Sequence, residues 1–298
     1  MPCKNCSLKP VYTALNNESL CSSHFLKYFE RKVCKTIAQH KLIDRKDKIA
    51  VALSGGKDSS TLLYVLNKFH QKYRLNELHA ILINEGIEGY RNITEKDAKK
   101  FCRELGIPLK IVDFRKEFKT SIDKLKKKMN PCSACGVLRR YSLNKAARDI
   151  GATKLATGHN LDDEAQSILM NSIKGNLEFS AKLGPKTGVL MHEKFVPRVK
   201  PLYFMLEKEV LIYSKLRKLP VTFIECPNAG GSFRNEVGRM LNELESKYPG
   251  TKQSILNSFL GMLPLLREKF QKERIRTCRE CGEPSVREVC RACQILKI

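Results

Sequence analysis

The sequence predicts an α/β fold, a parallel sheet flanked by helices, with a small metal-binding unit at each end of the chain. Three observations predict it. Short apolar strands alternate with helical patterns over residues 48–175, as βαβ units require. A glycine-rich string, Ser54-Gly55-Gly56-Lys57-Asp58-Ser59, stands where the first strand meets a helix. Paired metal-type residues bracket the chain: Cys3 and Cys6 with Cys21 and His24, then Cys278 and Cys281 with Cys290 and Cys293.

Residues 25–44 carry Phe25, Phe29, Val33, Ile37 and Leu42 at helical spacing. Lys48–Leu53 is an apolar strand, and the helix after it shows Leu62, Leu63, Val65, Leu66 and Phe69 on one face. Leu78–Ile83 is the second strand. A helix then starts near Thr94, read as its N-cap, and stops at Gly106, just before Pro108. Leu109–Val112 is the third strand. The strongly basic stretch Arg115–Met129 is read as a solvated helix or a mobile flap. A helix from about Leu138 to Ile150 follows the central pair Cys132 and Cys135. Lys154–Thr157 is the fourth strand. It leads into Gly158-His159-Asn160-Leu161-Asp162-Asp163-Glu164 and a helix through Ile173. Beyond it, Phe195–Pro201 reads as a strand, Glu207–Leu219 as a helix, Val221–Glu225 as a strand and Phe233–Phe270 as helical.

The 298 residues, 42% of them hydrophobic, suffice for a full core with appended units. No apolar run is long enough for a bilayer, and the first residues lack a signal peptide's apolar centre, so a cytoplasmic protein with no membrane partner is expected. Fifty-five Lys and Arg against 31 Asp and Glu give +24, which points to a polyanionic partner such as RNA or DNA. Twelve cysteines without an export signal argue for metals rather than disulfides. The N-terminal set offers three thiolates and an imidazole, and the C-terminal set four thiolates; each closes a tetrahedral zinc site. Lys4, Lys9, Arg279, Arg287 and Arg291 lie beside these units. Cys34 and Cys102 fall on helical faces as core residues, and Cys226 stands alone.

Glycines at a strand–helix junction let backbone N–H groups approach an anion at a helix N-terminus. The spacing of neither a Walker loop nor a dinucleotide fingerprint is present. The S-G-G-x-D-S string matches the pyrophosphate loop of PP-loop ATPases. Members of that group split ATP between its α- and β-phosphates and adenylate a carbonyl oxygen. Asp58 and Asp162 are the candidate Mg2+ carboxylates and Lys57 a phosphate contact. Asp162 and Asp163 also serve as first-turn acids of their helix.

Taken in order, the terminal metal motifs, S-G-G-K-D-S, P-C-S-A-C-G, G-H-N-L-D-D-E-A and the lone cysteine in E-C-P resemble the tRNA 2-thiolation enzymes of the TtcA/TtuA type. The likeness is to the archaeal-type group with zinc fingers at both ends, and it covers almost the whole chain. It implies a PP-loop ATPase fold of the adenine nucleotide alpha hydrolase kind. It implies an ATP site made by Ala52, Leu53, Ser54, Gly55, Gly56, Asp58 and Ser59, the backbone of Leu82 and Ile83, Arg139 and Gly158. It implies that Cys132, Cys135 and Cys226 carry a [4Fe–4S] cluster with one iron open to sulfide. A cluster-free persulfide route through Cys135 and Cys226 is the alternative.

The implied activity is a tRNA-uridine 2-sulfurtransferase, expected at the anticodon wobble uridine, with the T-loop thymidine or uridine as the other target. A homodimer is implied, with free sulfide or a ubiquitin-like thiocarboxylate carrier as sulfur donor. Three regions are expected: a zinc finger over 1–30, the catalytic domain over 31–270 and a second zinc finger over 271–298. Two competing readings remain. A lysidine-type ligase or amidotransferase would use ATP and tRNA without the three cysteines, and a non-catalytic RNA-binding module would need neither motif.

Overall fold

In the computed structural model, which describes residues 2–73, 77–187, 192–221, 224, 226–228, 230, 232–270 and 275–297, the apolar periodicities resolve into one central sheet with helices on both faces. The N-terminal unit pairs β1 (Tyr12–Thr13) with β2 (Ser19–Leu20) antiparallel and runs straight into α1 (Ser22–Gln39). Helix α1 ends before the expected residue 44. His40 and Lys41 turn the chain, Lys41 at φ +47°, and Leu42 folds back with its N–H on Ile37 O at 3.0 Å.

The next elements are β3 (Ile49–Ala52), α2 (Lys57–Tyr73), β4 (Leu78–Asn84), α3 (Arg91–Leu105) and β5 (Leu109–Asp113). Helix α3 begins at Arg91, and Thr94 is not its N-cap. Arg91 is buried and paired with Glu85, which draws the start of the helix inward, while Thr94 is buried in the first turn with its hydroxyl on Arg91 O at 3.3 Å. The basic stretch after β5 is neither a solvated helix nor a flap. It forms two short helices, α4 (Phe114–Glu117) and α5 (Ile122–Leu125), capped by Asp113 and Ser121. Phe114, Ile122 and Leu125 anchor them in the core, while the lysines, Arg115 and Glu117 face water.

Helix α6 (Pro131–Asp149) starts ahead of the central cysteines rather than after them. Asn130 caps it through Ser133 N–H at 3.0 Å, and Pro131 occupies a first-turn position that needs no N–H. Then come β6 (Lys154–Ala156), α7 (Leu161–Ile173), α8 (Leu177–Ala181), β7 (Lys186–Thr187) and β8 (Arg198–Val199), followed by α9 (Glu207–Leu216). Val221 and Ile224 take no strand conformation, and part of the expected 221–225 strand lies outside the described residues. The expected helical run 233–270 is two helices, α10 (Phe233–Lys247) and α11 (Thr251–Phe270), broken at Gly250 with φ +97°. A hairpin of β9 (Arg276–Thr277) and β10 (Pro284–Ser285) and helix α12 (Arg291–Leu296) close the described chain.

The sheet order is β5-β4-β3-β6-β8-β7, parallel except for β7. Strand order reverses between β3 and β6, and the crevice beyond their carboxyl ends is where such sheets bind ligands. Both faces are buried, so strand side chains alternate between two cores. Leu78, Ala80 and Leu82 pack with α1, α2 and α9 residues such as Phe29, Leu62 and Tyr213. Ile81 and Ile83 pack with Leu138 and Ala147 of α6 and with Ala292 and Ile295 of α12. The C-terminal unit is therefore docked beneath α6.

Candidate active site

The phosphate-type loop follows β3 and turns into α2. Ser54 N–H donates to Ser59 Oγ at 3.1 Å, and Ser59 Oγ–H donates to Gly56 O at 3.1 Å, closing the loop on the helix start. Gly55 sits at φ +86°, where a Cβ would lie 2.9 Å from Thr94 Cβ. Gly158, at the end of β6, packs on the same turn: a Cβ there would lie 2.9 Å from Ser59 N. Register between β3 and β4 ends at Ala52 and Ile81, whereas β4 continues beside β5 to Asn84. The edge carrying Leu82 and Ile83 thus borders the crevice next to Ala52 and Leu53.

Asn160 caps α7 in a reciprocal box with Asp163 and donates from Nδ2 to Asp58 Oδ1 at 2.9 Å. Lys57 Nζ bridges Asp58 Oδ2 at 3.1 Å and Glu207 Oε1 at 2.7 Å. Asp162 pairs with Lys252 and accepts Glu207 N–H at 2.7 Å, and Asp163 accepts from Arg234 at 3.0 Å. Lys57, Asp58, Asn160, Asp162, Asp163, Glu207 and Lys252 line a cavity of about 270 Å³. Burial holds the Asp58 carboxyl above the usual carboxylate range, with Asp163 adding to it, against the pull of Lys57 and Asn160. Both carboxylates are half-buried and each faces a lysine, Asp58 with Lys57 and Asp162 with Lys252, so each presents an oxygen to the crevice that suits a divalent cation. The His159 imidazole is held below its usual range by the protein packed around it and then by Lys200, and its Nδ1 lies 2.9 Å from Thr157 Oγ1.

Cys135 is buried and Cys132 exposed in the first turns of α6. Cys132 Sγ–H donates to Asn228 O at 3.2 Å, which fixes the 226–228 segment against α6, and half-buried Cys226 packs on the core that holds Cys135. The three sulfurs are not as tightly grouped as the two terminal sets, whose donor atoms all lie within 4.8 Å of one another. Three thiolates at wider spacing suit a polynuclear iron–sulfur group more than a single ion. Arg139 donates from Nη2 to Cys135 Sγ at 2.9 Å. Burial pushes the Cys135 thiol up, against that guanidinium.

At the N-terminal set, His24 Nδ1 lies 3.2 Å from Cys21 Sγ and 3.4 Å from Cys3 Sγ. At the C-terminal set, Cys281 and Cys290 sulfurs are 3.7 Å apart and those of Cys278 and Cys293 4.0 Å. Cys21 is drawn down to about 5, first by the Ser23 hydroxyl and then by the His24 N–H. Cys278 is drawn down to about 6, against its burial, by N–H groups of Cys290, Cys281 and Glu280. Thiolates in two closed four-donor sets fit zinc. The outer units are not independent beads: Tyr12 OH donates to buried Glu209 at 2.8 Å, and Arg148 pairs with Glu283.

The predicted loop residues, Gly158, Asp58 and Asp162 thus converge on one crevice, and Arg139 stands beside the cysteines. Glu85, Arg91, Glu207 and Lys252 escape motif reading, and Asn160, although inside the G-H-N-L-D-D string, is given no role by it. Glu85 had a legible signal, an acid directly after the apolar strand Leu78–Ile83, at the ligand-binding end of the sheet. Glu207 and Lys252 had none, because only the tertiary fold brings them to Asp162.

Residues 26–238 match the family model of the PP-loop domain. The chain is 41% identical over 297 residues to the tRNA-5-methyluridine(54) 2-sulfurtransferase of Pyrococcus horikoshii, covering 99% of this chain and 93% of that one. It is 34% identical to the tRNA 2-thiolation protein NcsA of Haloferax volcanii, covering 100% and 98%. Among solved structures it superposes on the U34-tRNA thiolase NcsA from Methanococcus maripaludis with its [4Fe–4S] cluster. That match has a TM-score of 0.86, 39% identity, and coverage of 100% of this chain and 96% of that one.

Proposed function

The chain belongs to the PP-loop family of tRNA 2-thiolation proteins, and on that premise we propose that it is an ATP-dependent tRNA-uridine 2-sulfurtransferase acting on the anticodon wobble uridine. The observation that carries this reading is the joining of Asp58, Asn160 and Gly158 in the same crevice that Cys135 and Arg139 border. The wobble assignment leans on the 39% identical U34 thiolase, which superposes over the whole chain. The 41% identical position-54 enzyme favours the T-loop as second reading.

Ser54–Ser59 and the start of α2 cradle the phosphates, with Lys57 against them. Ala52, Leu53 and the Leu82–Ile83 edge hold adenine, and Arg139 lies on the opposite wall. The C2 carbonyl oxygen of uracil attacks the α-phosphorus and pyrophosphate leaves. Sulfide then attacks C2, and that oxygen departs with AMP, so oxygen is exchanged for sulfur without net redox change. Asp58 and Asp162 would hold Mg2+, which would offset the developing phosphate charge. Cys132, Cys135 and Cys226 would hold a [4Fe–4S] cluster, which would supply a binding position for sulfide.

The +24 charge supports tRNA as partner. Arg198, brought down to about 10 by burial and then by the nearby Arg140, adds a second guanidinium suited to a phosphate. Zinc holds the units over 1–30 and 271–298 around the domain over 31–270. The protein works as a cytoplasmic homodimer with sulfide or a thiocarboxylate carrier as donor; among the described residues no helix is long and apolar enough to cross a membrane. ATP–pyrophosphate exchange dependent on tRNA tests the first half-reaction, and its absence would remove the adenylation step.

A further inference from the structure

Glu85 follows β4 at the crevice and is fully buried. Two guanidiniums meet on its carboxylate. Arg91 binds it in a fork, with Nη2 on Oε1 at 2.9 Å and Nε on Oε2. Arg139 Nε donates to the same Oε1 at 2.8 Å. Each guanidinium has a further contact on the site. Arg91 Nη1 donates to Ser54 O, the first carbonyl of the phosphate loop, at 2.8 Å. Arg139 Nη2 donates to Cys135 Sγ at 2.9 Å. An unbroken chain therefore runs Ser54, Arg91, Glu85, Arg139, Cys135, with no water or flexible linker between its members.

We infer that Glu85 is a positioning residue that couples the phosphate loop to the sulfur-bearing end of α6. The inference rests on the site reading above and adds to it a path by which each half feels the other. The carboxylate is fully buried, and Arg91 and Arg139 donate to it. Its role is to hold the Arg91 fork and the single Arg139 bond in one register, so that a shift of the Ser54 carbonyl on nucleotide binding moves Arg139 against Cys135. The Glu85–Arg91 pair is buried and charge-assisted, and the Arg139 side chain, 44% exposed, is held between Glu85 and Cys135. Arg91 is buried too and has no room to swing away.

Linkage makes the coupling measurable from either side. The affinity of α,β-methylene-ATP is measured anaerobically for cluster-loaded and cluster-free protein, together with the spin-resonance spectrum of the reduced cluster with and without the nucleotide. In wild type the two affinities differ by about 5-fold or more, and the nucleotide shifts the spectrum. In Glu85→Gln, which keeps the shape and loses the charge, the ratio falls to about one and the shift disappears, while both ligands still bind. Arg91→Lys, which keeps the charge and loses the fork, does the same and serves if the glutamine variant does not fold. A purely structural role would lower the melting temperature of both variants and leave ratio and shift intact, and that result overturns the coupling. Equal affinities in wild type overturn it as well. Wild type that takes up no iron or binds no nucleotide overturns the site reading itself, and the coupling with it.

Discussion

Asn160 Nδ2 donates to Asp58 Oδ1 at 2.9 Å, a single bond across 102 residues of sequence that joins the two strand–helix junctions flanking the point where strand order reverses. The capped start of α7 and the first turn of α2 thus share one carboxylate, and several expected outcomes follow from how that carboxylate is held.

Burial raises the Asp58 pKa above its usual value. A folded-state pKa above the unfolded one means the folded chain binds the proton more tightly. Ionised Asp58 therefore costs stability at neutral pH, and this cost is relieved as pH falls through the raised pKa. Asp58→Asn should keep or raise the melting temperature at pH 7, yet lower pyrophosphate exchange by about 10²–10³-fold. A lowered melting temperature with exchange retained would make Asp58 a structural residue.

Asn160→Ala removes both the cap of α7 and the brace on Asp58. Urea unfolding should show a loss of about 1 kcal/mol. Exchange should fall further than that loss alone explains, because the carboxylate is no longer aimed.

Lys200 and Glu164 form a buried pair at 2.7 Å, and Glu164 Oε2 has no hydrogen-bond partner among the described residues. Burial lowers the Lys200 pKa and raises that of Glu164, so desolvation outweighs their attraction in both. Lys200→Met should cost about 3–5 kcal/mol by stranding the acid, and adding Glu164→Leu should recover most of it. Denaturant titration of the two variants decides the point.

Cys290→Ser breaks the C-terminal four-thiol set and should lower both bound metal and stability, the latter on the order of several kcal/mol. Cys278, Cys290, Ala292 and Ile295 share a core with Leu138 and Cys135. Hydrogen exchange along α6 should therefore rise in this variant. Unchanged exchange there would show the C-terminal unit to be energetically separate.

How much of this was legible in the sequence varies with the range of the forces involved. The strands and the S-G-G-K-D-S loop were readable because apolar period and glycine placement are local. The start of α6 was missed because the helix was begun at about Leu138, after Cys132-x-x-Cys135, although Asn130-Pro131 is itself a helix-start signal. Helix α3 was begun too late because Thr94 resembles a cap, and only the Glu85 ion pair explains why Arg91 can be buried there. The basic stretch 115–129 looked solvated because its lysines outnumber Phe114, Ile122 and Leu125, which nonetheless decide its packing. The partners of Asp162, Glu207 and Lys252, come from distant helices and leave no local trace.

The measurement that tests the central claim most directly is mass spectrometry of nucleosides from tRNA incubated anaerobically with iron-loaded protein, ATP, Mg2+ and sulfide, for wild type and Cys226→Ser. The account predicts a uridine with one oxygen replaced by sulfur, mapping to the wobble position, in the wild-type reaction alone, while pyrophosphate release stays within about 2-fold in the variant. Thiolated nucleoside from Cys226→Ser, or none from wild type while ATP is cleaved, would contradict it.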